Sequence, residues 1–196
     1  MGKLLENLNI TLLIGLVLAI LIAAFPDSGY AVAPGAGDVW LGIFQWLHVF
    51  FGITWIGLLY YFNFVQIPTM PAVPAELKPG VTKYIAPKAL FFFRWAAAFT
   101  VLTGALLAWV NGYLVEALTF RDGFELIGVG AWLALIMAAN VWFVIWPNQQ
   151  RVLGLVEADD ASKAKSARTA LVASRTNVLL SIPMLYAMTT FTPLGS

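Results

Sequence analysis

Long stretches of apolar residues, each bounded by proline, glycine or charged residues, dominate the sequence. About 20 apolar residues in a row allow an α-helix to cross about 30 Å of hydrocarbon, and such segments favour a helical bundle because each helix satisfies its own backbone hydrogen bonds. The helices are expected to end at prolines, as at Pro68 and Pro147, or to begin beside one, as at Pro87. The pattern predicts transmembrane helices at 8–25, 40–66, 88–110, 126–146 and 177–191.

The composition supports an all-α integral membrane protein of about five spans. Of 196 residues, 61% are hydrophobic and 11% are charged, whereas soluble domains carry about 25% charged residues. No repeat or second domain is visible, so residues 1–196 are expected to form one transmembrane domain, with the first block retained as a helix rather than removed as a signal peptide. The absence of cysteine excludes disulfides and thiolate metal sites, and a net charge of +1 gives no reason to expect a nucleic-acid partner.

Basic residues are concentrated in two of the connections between the predicted helices. By the positive-inside rule these connections are cytoplasmic, which places the N-terminus in the cytoplasm, the C-terminus in the periplasm and the chain in a bacterial inner membrane. The segment 157–175 is rich in Ala, Lys and Arg and is expected to form an amphipathic helix on the cytoplasmic face. The basic residues are Lys78 and Lys83 in the second connection, and Arg151, Lys163, Lys165, Arg168 and Arg175 in the fourth.

The single histidine, His48, lies within the second predicted helix. Steps of three and four residues place Gln45, His48, Gly52 and Trp55 on one helix face. A polar side chain at this depth is costly and therefore indicates a functional site. Two interpretations are open. His48 ligates a haem iron or another metal, with Gly52 making room for a flat macrocycle, or His48 hydrogen-bonds to a neighbouring helix while Gly52 permits close packing.

Other polar or sulfur-containing side chains extend both interpretations. Met184 and Met188 lie four residues apart on one face of the last helix, so either could be a second axial ligand, or both could pack as apolar residues. Arg94 could pair with a haem propionate or an anionic substrate, or could extend to the membrane interface. Asn140 and Asn177 are expected to hydrogen-bond to neighbouring helices.

Several stretches resemble the membrane domain of the PuuD-type bacterial urate oxidases (urate hydroxylases). They occur in the family's order from about residue 40 to the C-terminus. The most specific is the run Met137–Gln150, which contains the signature Asn140 with Pro147-Asn148-Gln149. The others are Trp46–His48 with Gly52–Gly57, Arg94–Trp95 with Thr100–Gly104, and Ser174–Asn177 leading to Pro183 and Met184.

The resemblance implies a membrane redox subunit, an oxidoreductase component similar to urate oxidase. It would bind a b-type haem through His48 and exchange electrons with a periplasmic cytochrome c or the quinone pool. The family adds further membrane helices and a periplasmic cytochrome c domain, whereas this chain has no CxxCH motif and is expected to be a short stand-alone form. The alternative is a cofactor-free structural or assembly subunit of a larger respiratory or photosynthetic membrane complex, or of a homo-oligomer.

Overall fold

The computed structural model describes residues 7–23 and 36–191, and within these ranges the chain is helical with no strand. The expectation of an all-α protein is therefore confirmed. Two compact units divide the chain between Ile43 and Phe44, and the later helices with their core belong to the second unit. The helices are α1 (Leu8–Ala23), α2 (Ala36–Tyr60), α3 (Ala86–Val110), α4 (Leu114–Leu118), α5 (Glu125–Asn140), α6 (Trp146–Val152) and α7 (Asp160–Thr190).

Four continuous helical segments among the described residues are long and apolar enough to cross a membrane, which makes this a multi-pass membrane protein. By comparison, α1 has 16 residues, a length of about 24 Å where a span needs about 30 Å. Residues 24 and 25 of the predicted first helix lie outside the described residues. The four segments are Trp40–Ala72, Lys78–Val110, Glu125–Val152 and Asp160–Thr190.

Three of these segments are longer than predicted because prolines that were expected to bound them lie inside them. Each proline follows a π-helical turn. Such a turn contains one extra residue, which widens the helix and displaces the backbone carbonyl that a proline ring would otherwise strike. The turns are Tyr61–Gln66 before Pro68, Val81–Ile85 before Pro87, and Val141–Ile145 before Pro147.

Helix α7 joins two elements that the sequence predicted as separate, the amphipathic segment 157–175 and the span 177–191. Asp159 begins it, since its Oδ1 accepts a 2.6 Å hydrogen bond from the backbone N–H of Ser162. No glycine or proline interrupts the helix before Pro183, so nothing in the backbone separates the basic half from the apolar half. The result is one helix of 31 residues.

The N-cap of α7 gives a pH-dependent prediction. The hydrogen bond from the Ser162 N–H holds the pKa of Asp159 below its usual value of 3.8, so the cap stabilises the helix above that pH and is lost as pH falls through the folded value. Asp159→Ala is expected to accelerate amide hydrogen exchange in the first turn of α7 at pH 7, whereas Asp159→Asn, which still caps but does not titrate, keeps protection at both pH 7 and pH 3. Equal exchange in wild type and Asp159→Ala at pH 7 would contradict this assignment.

The core of the second unit lies between α2, α3, α5 and α7. Its largest buried side chains include Trp55, Leu59, Phe93 and Met137, each at most 1% exposed. Small residues bring α5 and α7 close together, because a Cβ placed on Gly130 would lie 3.1 Å from the Cβ of Ala187. Association of helices in a membrane depends on such close packing, since lipid provides no hydrophobic driving force.

Candidate functional site

His48 contacts α3 rather than lipid. Its Nδ1 lies 2.9 Å from the backbone carbonyl oxygen of Thr100. A carbonyl oxygen only accepts hydrogen bonds, so Nδ1 carries the proton and donates it. In the neutral imidazole Nε2 is then an unprotonated acceptor with a free lone pair. The half-buried ring is therefore held in one tautomer by the neighbouring helix.

Gly104 makes the space that the His48 ring occupies. A Cβ placed on Gly104 would lie 2.7 Å from Cε1 and 2.9 Å from Nδ1 of His48, well inside van der Waals contact. Gly52, which the sequence predicted to make room for a macrocycle or for close helix packing, does not make room for the His48 ring. A Cβ there would meet Cγ2 of Thr100 at 3.9 Å, an ordinary contact. The glycine that the site requires is thus on α3, one turn beyond Thr100.

The other two residues of the predicted His48 face lie in different surroundings. Trp55 is fully buried in the core, and its Nε1 has no hydrogen-bond partner in the described part of the chain. Gln45 is exposed. Of the four, only His48 and Gly52 meet at Thr100. The helical period correctly groups residues by direction, but packing leaves one end of that face exposed and buries the other.

The two methionines of α7 have neighbours on α5. Met184 is buried in the core cluster, and the Cε of Met188 would lie 3.3 Å from a Cβ on Gly130. His48 instead contacts Thr100 and Gly104 of α3. The structure therefore provides an apolar packing role for both methionines and does not link either one to the histidine.

Arg94 lies on α3 beside the π-helical turn that follows α5. Its guanidinium carbon lies 3.1 Å from the ring centroid of Trp146 and 5.7 Å from that of Trp142. Such cation–π contacts hold the charge against aromatic surface. The Arg94 Nε is buried and has no hydrogen-bond partner among the described residues. This N–H is thus a donor without an acceptor on the described chain.

Asparagine side chains connect α5 to α7, as the sequence predicted. Nδ2 of Asn140 donates to Oδ1 of Asn177 at 2.7 Å and to the carbonyl of Ala173 at 2.9 Å. Asn177, which is fully buried, returns a hydrogen bond from its Nδ2 to the carbonyl of Met137 at 3.1 Å. The two amides satisfy each other in the apolar interior, so the most specific motif in the sequence contributes a helix-to-helix contact.

A second polar contact, which the sequence did not indicate, connects α2 and its π-helical turn to α7. The hydroxyls of Tyr60 and Ser181 lie 3.0 Å apart, and Nδ2 of Asn63 donates to Oγ of Ser174 at 2.8 Å. A polar residue at a helix end gives no sign from sequence alone that it will be buried.

Among residues 7–23 and 36–191, no group of three or more His, Cys, Asp or Glu side chains could hold a metal ion.

Comparison with known proteins identifies one relationship. Residues 117–191 match the family described as Urate oxidase N-terminal, a stretch from within α4 into the end of α7 that includes Asn140 and Asn177. The match covers less than half of the chain. No curated protein and no solved structure matches the chain. Over residues 117–191 the expected resemblance is therefore confirmed, because this part of the chain is similar to the urate oxidase N-terminal family.

Proposed function

We propose that the chain is a membrane redox subunit related to the urate oxidase membrane domain, with His48 as an axial ligand of a b-type haem. One observation carries the proposal, the 2.9 Å hydrogen bond from Nδ1 of His48 to the Thr100 carbonyl. Metal-binding histidines usually donate their second N–H to a carbonyl or carboxylate, which fixes the tautomer and the ring orientation. Gly104 leaves the space that this ring orientation requires.

Two side chains of the described chain have the chemistry to hold such a group, His48 through its unprotonated ring nitrogen and Arg94 through a buried N–H without an acceptor. A bound haem would supply one-electron transfer. His48 would ligate through Nε2, and Arg94 would donate its unpartnered Nε–H to a propionate. The second axial position would be taken by Met184 or Met188, left open, or filled from a second subunit. Met184 lies in the core cluster and Met188 packs near Gly130 of α5, so an open position or a ligand from a second subunit is favoured over either methionine.

We infer the membrane topology from charge. With α1 counted as a fifth span, the basic connections face the cytoplasm of a bacterium and the C-terminus faces the periplasm. His48 then lies about 12 Å along the helix axis from the outer edge at Trp40. That depth favours a periplasmic cytochrome c or the quinone pool as the electron partner.

The test is the reduced-minus-oxidised absorption spectrum of the detergent-purified chain, expressed with haem supplied. We expect a b-type spectrum that His48→Ala abolishes, because the iron loses its protein ligand. Thr54→Ala is the matched control, since its hydroxyl bonds only within its own helix, to Phe50, and the spectrum should persist. Reduction of the oxidised protein by urate would identify the substrate. A colourless wild-type protein would reject haem binding.

The second candidate is a cofactor-free structural or assembly subunit of a larger respiratory or photosynthetic complex. The observation in its favour is an apolar face of α2 with large exposed side chains, including Trp46, Phe50 and Ile53 at 48%, 48% and 70% exposure. Lipid or a partner helix could cover this face. A colourless protein that co-purifies with a much larger complex would support this candidate, and a self-association product alone would support a homo-oligomer.

A further inference from the structure

A cavity of about 250 Å³ lies in the second unit, at the end of the bundle opposite His48 along α2. Its walls combine two aromatic rings, Phe62 and Phe93, with aliphatic side chains and the polar residues Gln66, Gln149 and Ser174. None of the lining residues in the described part of the chain is charged. Because transferring an ion into such surroundings without a counter-charge is prohibitively costly, an occupant must be uncharged and mostly apolar.

The cavity lies where the three π-helical turns meet. Phe62 and Gln66 belong to the first turn, Ala86 directly follows the second, and Ile145 ends the third. Single π-helical turns inside α-helices occur frequently at functional sites. Here they also explain the empty space, because three widened helices cannot pack as closely as three regular ones.

One buried oxygen of a cavity residue, Oε1 of Gln66, has no hydrogen-bond partner in the described part of the chain. Oδ1 of Asn63 also has none there, and although Asn63 does not line the cavity, its Nδ2 donates to the carbonyl of Leu59 at 2.9 Å and to Oγ of the cavity residue Ser174 at 2.8 Å. Reversing the amide would set Oδ1 against the Leu59 carbonyl, so its orientation is fixed. Both orphan atoms are acceptors, and buried acceptors rarely stay unpaired.

We propose that this cavity binds the head group of a reduced quinone, a dihydroxybenzene ring that donates hydrogen bonds to the Gln66 side chain. The ring is uncharged, suits aromatic and aliphatic walls, and reaches the protein from the bilayer. In the orientation that the Gln66 amide has here, its Oε1 can accept from a quinol hydroxyl, whereas the oxidised quinone carries only acceptor oxygens, so the reduced form should bind more tightly. The proposal goes beyond the redox function above, because the cavity begins 14 residues after His48, about 21 Å along α2 and its π-helical turn, and so forms a separate site for a membrane-soluble ligand.

The test uses the full chain in nanodiscs and isothermal titration with decyl-ubiquinol, kept reduced under anaerobic conditions. We expect saturable binding, about tenfold tighter than that of decyl-ubiquinone, since one hydrogen bond distinguishes the two forms. Gln66→Leu should weaken quinol binding about tenfold, while Gln150→Leu, the same change outside the cavity, should not. Ala167→Trp fills the cavity from an exposed position that tolerates bulk, and should abolish binding.

Several outcomes would overturn the proposal. They are no saturable quinol binding, tighter binding of the oxidised form, or equal binding by Gln66→Leu and the wild type. If 1,4-dihydroxybenzene without a tail bound saturably and as tightly as decyl-ubiquinol, the site would be assigned to a soluble phenol instead. The haem spectrum separates this proposal from the proposed function, because a colourless protein that still binds quinol would reject the haem and keep the cavity site.

Discussion

Gly104→Ala is expected to displace the His48 ring from Thr100 and to abolish any spectrum that depends on His48. The added methyl carbon would lie 2.7 Å from Cε1 and 2.9 Å from Nδ1 of the imidazole. The ring cannot stay in place, because the shortest ordinary contacts between such atoms are about 3.5 Å. Loss of the hydrogen bond to the Thr100 carbonyl then frees the tautomer and the ring orientation on which ligation by Nε2 depends.

Gly52→Ala is the matched control, since it makes the same change on the His48 side of the contact. Its methyl carbon would meet Cγ2 of Thr100 at 3.9 Å, a distance that needs no rearrangement. The spectrum and the yield of folded protein should therefore be close to wild type. If each glycine only allowed the two helices to approach each other, both variants would lose the spectrum and the yield of folded protein to the same extent. Equal losses in the two variants would therefore contradict the role given to Gly104.

Nitrogen NMR provides a readout that does not need haem. His48 is the only histidine in the chain, so ¹⁵N-histidine labelling gives a single pair of ring resonances. In the wild type these should report a neutral ring protonated at Nδ1, as the Thr100 contact requires. Gly104→Ala should shift the pair towards a mixture of tautomers, and Gly52→Ala should leave it unchanged. An unaltered pair in Gly104→Ala would show that the ring does not depend on this glycine.

The sequence predicts four of its five spans, because their signal is composition, which needs no knowledge of packing. The first predicted span, 8–25, is a shorter helix of 16 residues in the structure. It also predicts the Asn140 and Asn177 contacts, because a buried amide in hydrocarbon must find a partner and neighbouring helices are the main source. The helix ends at prolines are predicted less well. The rule that proline ends a helix assumes regular α-helical geometry, whereas the π-helical turns before Pro68, Pro87 and Pro147 allow the helices to continue.

The sequence predicts only part of the site around His48, for a related reason. Helical periodicity tells which residues of one helix share a face, so it groups Gln45, His48 and Gly52. It does not tell which residue of another helix lies opposite. The partners of His48 on α3, Thr100 and Gly104, are visible in sequence only as part of the family resemblance.

Gly128→Ala is expected to destabilise the fold, whereas Gly57→Ala should be neutral or stabilising. A Cβ on Gly128 would collide with the backbone carbonyl oxygen of Ala117 in α4 and would lie 3.0 Å from Cδ1 of Phe120. Phe120 already has a φ of 53°, in the left-handed region that a bulky residue rarely adopts. Neither the Ala117 carbonyl nor the Phe120 ring can therefore move away easily from an added methyl group.

The expected cost of Gly128→Ala is about 1–3 kcal/mol of unfolding free energy, as for other overpacked sites. Gly57 is the control because it is exposed in α2 with no atom within 4 Å of its added Cβ. Alanine there should gain up to about 1 kcal/mol from helix propensity alone. Thermal unfolding in detergent, followed by circular dichroism, measures both variants. A lower unfolding temperature for Gly128→Ala together with an unchanged or higher one for Gly57→Ala would show that the α4–α5 contact, rather than glycine content, limits stability. Unfolding temperatures that move together would mean that the α4–α5 turn relaxes around the new methyl group.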